Sequence, residues 1–316
     1  MRGWSRLAVL GIGCALIGPL RAQDPVASDT SAAVPFQLAS DFLVVVQGRI
    51  ATLSHLKFIL DTGSTHSMIN TTIADQLGLL RQTGTTLNFE HYAKIDWTNV
   101  PEMQFGPIRV RNVRVMVGAL GQFSEFASGI DAVIGLDLLG QTQNLGIDFQ
   151  AKLLTFGELR ERQYDNMARP QALTVLLDVQ GSRLRLIVDT GLSEVVLFAD
   201  RLHGHAPHLK LLNEARAHLG RMPGRTAALP GIQLLPPDSR ASVFLFDRAP
   251  QSLPENIDGF LGLKALNVDF AEIDFSSKTL TLRSPSMEPI MLASDSKTSR
   301  RMQEQENQEG QTNPFR

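Results

Sequence analysis

The tripeptide Asp-Thr-Gly occurs twice in this chain, each time in the same surroundings. The first copy is FILDTGSTHSMI, from Phe58 to Ile69, and the second is LIVDTGLSEVVL, from Leu186 to Leu197. Their aspartates, Asp61 and Asp189, are 128 residues apart. Two more landmarks follow in the same order. GIDAVIGLDLL carries Gly135, and NIDGFLGLKAL carries Gly262, 127 residues later. IDFQAKLLTF begins at Ile147 and IDFSSKTLTL at Ile273, 126 residues later. Three landmarks that keep order and spacing within two residues mark a duplicated unit of about 127 residues. Whatever architecture one unit adopts, the other must be able to adopt as well.

Each unit reads mainly as β. Phe42–Val46 and Lys57–Leu60 have strand character around a turn expected at Gly48, and Leu173–Val179 and Leu184–Val188 repeat this around Gly181. Thr71–Leu77 has a helical pattern that stops at Gly78. The closing IDF segments alternate like strands around a turn that contains lysine. Neither unit offers the long periodic helices of an α/β enzyme. The expected fold is mainly β, with two similar lobes at residues 36–157 and 171–285, joined by a polar linker at 158–170.

Composition fits a folded body. The 316 residues are 43% hydrophobic and 20% charged, which excludes a disordered or fibrous chain. A formal net charge of −2 gives nucleic-acid binding through counterion release no support. The single cysteine, Cys14, excludes internal disulfides and leaves no thiol in the body for catalysis or zinc.

The ends read differently from the body. Residues 1–22 (MRGWSRLAVLGIGCALIGPLRA) have a positive start, a 12-residue apolar run and a helix-breaking Pro19, the layout of a secretory signal peptide. The run is short for a bilayer span, which takes roughly 20 residues. The expectation is an exported chain, periplasmic or secreted, without a stable membrane span after cleavage; a retained segment would instead be an N-terminal anchor. Removing it leaves 27 basic against 32 acidic residues. Residues 23–35 read as a leader and 286–316 as a disordered polar tail.

An aspartate at the end of an apolar strand is costly to bury as an anion. Two such loops facing each other would set two carboxyl groups side by side, and like charges that close share one proton. The ionised member can activate water while the protonated member polarises a carbonyl. That is amide hydrolysis with no metal and no cofactor.

These residues resemble the aspartic peptidases. The doubled Asp-Thr-Gly, each followed about 73 residues later by two hydrophobic residues and glycine, is similar to the retropepsin-like branch. The tandem order resembles a single-chain, pepsin-like pseudo-dimer, which implies two similar β-barrel lobes in a bilobal acid-protease fold. The resemblance covers roughly residues 36–285 and implies an aspartic endopeptidase acting on polypeptides. It implies Asp61 and Asp189 as the catalytic dyad. Thr62 and Thr190 fall where the family interlocks its two active-site loops, and Gly63 and Gly191 at its glycines. Ser64 matches a hydroxyl residue that bonds the catalytic carboxylate in pepsin-like lobes. Leu192 departs from that pattern, which implies an asymmetric dyad with the shared proton on Asp189, or a site that Leu192 obstructs. Gly135 and Gly262 are implied as packing positions. A β-hairpin flap is implied over Thr85–Thr98, with Tyr92 facing substrate, and a looser second flap around Gly220–Pro230. A monomer suffices for one site; the alternatives are a homodimer and a peptide-binding protein of the same fold without catalysis.

Other features carry plainer readings. His203, His205 and His208 form H-x-H-x-x-H with no acidic or cysteine ligand beside them, and read as a solvated loop. His66 reads as a surface residue, since no G-x-S-x-G elbow accompanies it. Asp131, Asp148, Asp258 and Asp274 recur in both units and read as strand-end and turn residues.

Overall fold

A computed structural model describes residues 14–15, 33–88, 91–124, 126–159, 172–202, 209–219, 222–230, 240–284 and 287–294. Apart from Cys14–Ala15, a two-residue strand against Thr86 and Leu87, the expected signal segment lies outside these residues. So do most of the linker, the loop with His203, His205 and His208, and everything after Ser294.

The duplication is visible strand by strand. In the first half, neighbouring strands run Leu43–Ile50, Leu53–Leu60, Ala132–Ile134, Met68–Asn70, Ile108–Gly118, His91–Phe105 and Gln82–Asn88. In the second half they run Thr174–Val179, Ser182–Asp189, Gly259–Gly262, Val195–Phe198, Arg240–Phe246, Met222–Pro230 and Lys210–Leu219. Counterparts occupy the same seven places. The parallel pairs recur too. Ala132–Ile134 lies parallel to Leu53–Leu60 as Gly259–Gly262 lies parallel to Ser182–Asp189. Met68–Asn70 and Ile108–Gly118 are matched by Val195–Phe198 and Arg240–Phe246. The first sheet also folds back on itself, Gly48–Ile50 pairing with Met103–Phe105.

A third sheet joins the halves. Its order is Val34–Pro35, Leu153–Phe156, Asn144–Asp148, Phe270–Asp274, Thr279–Ser284 and Met287–Ala293. At its centre Asn144–Asp148 pairs with Phe270–Asp274 along its whole length. Each closing hairpin turns at a lysine in the left-handed region, Lys152 (φ 56°) and Lys278 (φ 55°). Asp148 Oδ1 accepts from Ala151 N (2.7 Å), and Asp274 Oδ1 from Ser276 N and Ser277 N (2.6 and 2.9 Å). Asp131 and Asp258 tie strand ends, accepting from Lys57 N (2.8 Å) and Arg185 N (2.7 Å). The four recurring acids thus take the turn and strand-end roles that their duplication had suggested.

One hydrophobic cluster runs through both halves, from Phe36 and Val44 to Leu280 and Leu282. Two smaller clusters lie apart from it, one around Ile59, Met68, Trp97 and Val133, the other around Ile187, Leu192, Val196 and Phe260. Side chains alternate along a strand. Ile59 therefore shares a face with Asp61, and Ile187 with Asp189, so the smaller clusters flank the two aspartates.

Three sequence expectations need correction. The first hairpin turns at Ala51–Thr52, Ala51 having φ 49°, and not at Gly48. Gly48 lies within the strand, where a Cβ would stand 2.0 Å from the Phe58 ring. The residue is glycine to admit that ring. The second hairpin turns at Gln180–Gly181 as expected, both with positive φ, which suits a two-residue hairpin loop. Residues 286–316 are not all tail, because Met287–Ala293 adds an edge strand to the shared sheet. Its Pro289 falls at an irregularity between the Leu282 and Ser284 pairings, where a missing N–H costs little. Finally, Met222–Pro230 is not loose: it is a strand paired with both Lys210–Leu219 and Arg240–Phe246, in the place that His91–Phe105 takes in the first half.

Candidate active site

Each Asp-Thr-Gly lies at the end of a strand whose last residues are buried on both faces. Asp61 N donates to Ile134 O (2.9 Å), which carries the ladder up to the carboxylate-bearing residue. In the second half Asp189 pairs with Gly262 at the strand end. Gly135 and Gly262 then pass beneath the loops. A Cβ on Gly135 would meet Ser64 O at 2.8 Å, and one on Gly262 would meet Glu194 O at 2.5 Å. Both glycines are therefore packing positions.

The threonines lock the two loops together. Thr62 N donates to Thr190 Oγ1 (3.1 Å) and Thr190 N to Thr62 Oγ1 (3.1 Å). Thr62 Oγ1 in turn donates to Val188 O, and Thr190 Oγ1 to Leu60 O, both at 2.8 Å. Each hydroxyl thus accepts from and donates to the opposite half. Four buried backbone groups, Thr62 N, Thr190 N, Val188 O and Leu60 O, are satisfied in this way.

This lock brings Asp61 and Asp189 together. Both are buried, each 3% exposed. Their carboxyl groups stand close enough for each to shift the other's titration. A Cβ on Gly63 would stand 2.3 Å from Asp189 Oδ2, and one on Gly191 would stand 3.2 Å from Asp61 Cγ. Each glycine lets the opposite carboxyl group approach.

The two carboxyl groups are unequally supported. Asp61 Oδ1 accepts from Gly63 N (2.9 Å) and Ser64 N (3.1 Å). Asp189 Oδ1 accepts from Gly191 N (2.8 Å). Burial pushes Asp61 up to about 6, against the opposing pull of the Gly63 N–H, the Asp189 carboxyl and the Ser64 N–H. Burial, and then the charge of Asp61, push Asp189 well above the ordinary carboxylate range. Donors stabilise the charged form, so the anion sits on Asp61 and the shared proton on Asp189.

Ser64 departs from what the resemblance implied. Its hydroxyl donates to His66 O (2.8 Å), not to the carboxylate; only its backbone N–H supports Asp61. Leu192 does not stand in front of the dyad with a free side chain. It is 1% exposed and packs among Ile187, Val196, Phe244 and Phe260. His66 is not a surface residue either. It is 7% exposed, with its ring edge-on to Trp97 at 5.4 Å.

Asp137 was not singled out by the sequence. It accepts from Ser67 N (2.9 Å), Ser67 Oγ (2.6 Å) and Leu138 N (2.9 Å), fastening the short helix after Gly135 to the active-site loop. Burial raises its pKa, opposed chiefly by the charge of His66. The second half has Val195 and Lys264 where the first has Ser67 and Asp137. Reading the two copies against each other is the signal that could have found this difference. The expected first flap is a hairpin, Gln82–Asn88 against His91–Trp97, with Tyr92 opposite Leu87 near its tip. Among the described residues no cluster of metal-ligating side chains occurs, and no helix is long and apolar enough to cross a membrane.

A comparison with known protein families falls on the first of these loops. An aspartyl protease family model matches residues 45–138, a span that includes Asp61, Thr62, Gly63 and Gly135. The crystal structure of a retropepsin-like aspartic protease from Rickettsia conorii aligns with 17% identity and a TM-score of 0.30, covering 43% of this chain and 95% of that chain. No curated protein matches the chain. The family match supports the aspartic peptidase resemblance read from the sequence.

Proposed function

Proceeding from the aspartyl protease match over residues 45–138, we propose that this chain is an aspartic endopeptidase with one active site formed by Asp61 and Asp189. The observation that carries the reading is the pair of buried carboxyl groups brought together by threonine-locked loops. The substrate is a polypeptide.

In this mechanism Asp61, the better-supported anion, is the general base. It takes a proton from the attacking water as the water oxygen bonds to the scissile carbonyl carbon. Asp189, protonated, donates a hydrogen bond to the carbonyl oxygen, which becomes the developing alkoxide. The tetrahedral intermediate collapses when the proton held by Asp61 passes to the leaving amide nitrogen, the C–N bond breaking. The dyad ends with one proton, as it began. The buried apolar clusters around Ile59 and Ile187 lie behind the carboxyl groups and hold their loops in place. Export, with removal of residues 1–22, remains the reading that the amino-terminal sequence supports.

The test is cleavage of a denatured protein by the purified chain from pH 3 to 9, with and without pepstatin. The proposal expects endoproteolytic fragments, inhibition by pepstatin, and an acid limb near pH 6 set by Asp61. No cleavage at any pH would overturn it and favour a non-catalytic peptide binder.

A further inference from the structure

A cavity of about 120 Å³ lies where the two halves meet beneath the second active-site loop. Apolar side chains make most of its lining, Leu38, Phe42, Val44 and Phe149 from the first half and Leu192 and Val268 from the second, with Asp41 and Thr190 also on it. Lys264 and Asn267 bring donors to its edge. Leu192 is the residue at which this loop departs from its first-half counterpart, Ser64, and here it helps to form the cavity wall.

Lys264 is the second departure. The matching residue in the first half is Asp137, which closes its own site by accepting from Ser67 and Leu138. Lys264 instead reaches across to the other half. Its ammonium donates to Asp41 O (3.2 Å) and stands 3.9 Å from the Asp41 carboxylate. Asp41 is 87% exposed at its side chain, so this ion pair holds the ammonium weakly. A cation half in solvent thus borders an apolar space in a contact that only the second half makes.

We propose that this cavity is a ligand site for a carboxylate on a small branched aliphatic body, the body filling the cavity and the carboxylate pairing with Lys264. Volume sets the body. An apolar protein cavity of about 150 Å³ accepts a benzene-sized group, so this one accepts about four or five carbons. Charge sets the head: the ammonium keeps donors for a carboxylate that can displace exposed Asp41. A C-terminal leucine of a peptide and a short branched fatty acid share this chemistry. Leu192 follows Gly191, whose N–H supports Asp189, so the cavity adjoins the loop of the dyad. The site is read by binding alone, so its failure is separable from failure of the proteolytic reading.

The experiment is amide NMR titration of the full chain with N-acetyl-leucine, 4-methylpentanoate and N-acetyl-leucinamide. Both carboxylates should shift Leu192, Lys264 and Val268 saturably, with dissociation constants on the order of 1 mM. The tighter of the two identifies the source, peptide C-terminus or free acid. The amide, lacking the charge, should not bind. Lys264→Gln should weaken both carboxylates about tenfold or more, and Val268→Phe, which fills the cavity, should abolish their binding. Lys264 is half exposed, so its variant tests the site even if Val268→Phe fails to fold. No saturable shift up to about 10 mM, equal binding of the amide, or unchanged binding in Lys264→Gln would overturn the proposal.

Discussion

Gly63 shows how tightly the dyad is built. A methyl group there would overlap Asp189 Oδ2. Gly63→Ala should lower kcat by about 10² or more, as expected for displacement of a catalytic group by roughly 1 Å, while far-ultraviolet circular dichroism stays that of the parent. Unchanged turnover would mean that the carboxyl groups do not meet during catalysis. Ser64→Ala is the contrasting case. Its hydroxyl serves His66 O, and the backbone N–H that holds Asp61 survives the substitution. The acid limb of the pH–activity profile should therefore stay near 6; a shift of that limb would assign the hydroxyl to the carboxylate after all.

The dyad also costs stability. Both aspartates have folded-state pKa values raised above the unfolded value, so the folded chain binds protons more tightly than the unfolded one. Their contribution is most favourable below the unfolded pKa of about 4 and is lost as pH rises through about 6 and beyond. Asp189→Asn, which keeps the shape without the titration, should melt about 5 °C higher than the parent at pH 8 and close to it at pH 4. A lower melting temperature at pH 8 would contradict the raised pKa values. The aspartates, threonines and glycines of this site were legible in the sequence because duplication picked them out. The direction of the Ser64 hydroxyl was not, since a rotamer answers to the loop it sits in. The burial of His66 depends on Trp97, a partner 31 residues away that no local pattern names.

At the scale of elements, periodicity located strands well and ends poorly. The helix at Thr71–Gln76 and both lysine turns followed from local signals. The first hairpin did not, because Gly48 serves a neighbouring ring and the turn fell to Ala51. Met287–Ala293 was hidden by its proline and by the polar sequence after it, yet it completes an edge of the shared sheet. Ending the chain after Ser284 removes that strand and uncovers the edge of Thr279–Ser284. Loss of its ladder bonds, each worth on the order of 1 kcal/mol, should lower the melting temperature by about 5 °C or more. An unchanged melting curve would show that the strand is dispensable.

The whole molecule is two copies that cannot be independent. One core cluster runs through both, Asn144–Asp148 and Phe270–Asp274 share a ladder, and each threonine hydroxyl is bonded into the other half. A chain built this way should unfold in one calorimetric transition, and two separated transitions would show the halves to be autonomous. The duplication predicted two equal loops, and the structure keeps their backbone symmetry. Charge and side chains break it. Asp61 has two backbone donors and Asp189 one, and Ser64, Ser67 and Asp137 are answered by Leu192, Val195 and Lys264. Sequence comparison of the copies can name such differences, but the unequal donors of the folded loops are what support the proposed division of the dyad into a base and an acid.

That division requires one site per chain, to which each half gives one indispensable carboxyl group. The direct measurement is proteolysis of a denatured protein by Asp61→Asn and by Asp189→Asn, each separately, with folding verified by melting. Both variants should lose activity to background. Substantial cleavage by either one would mean that the two aspartates do not form a shared dyad.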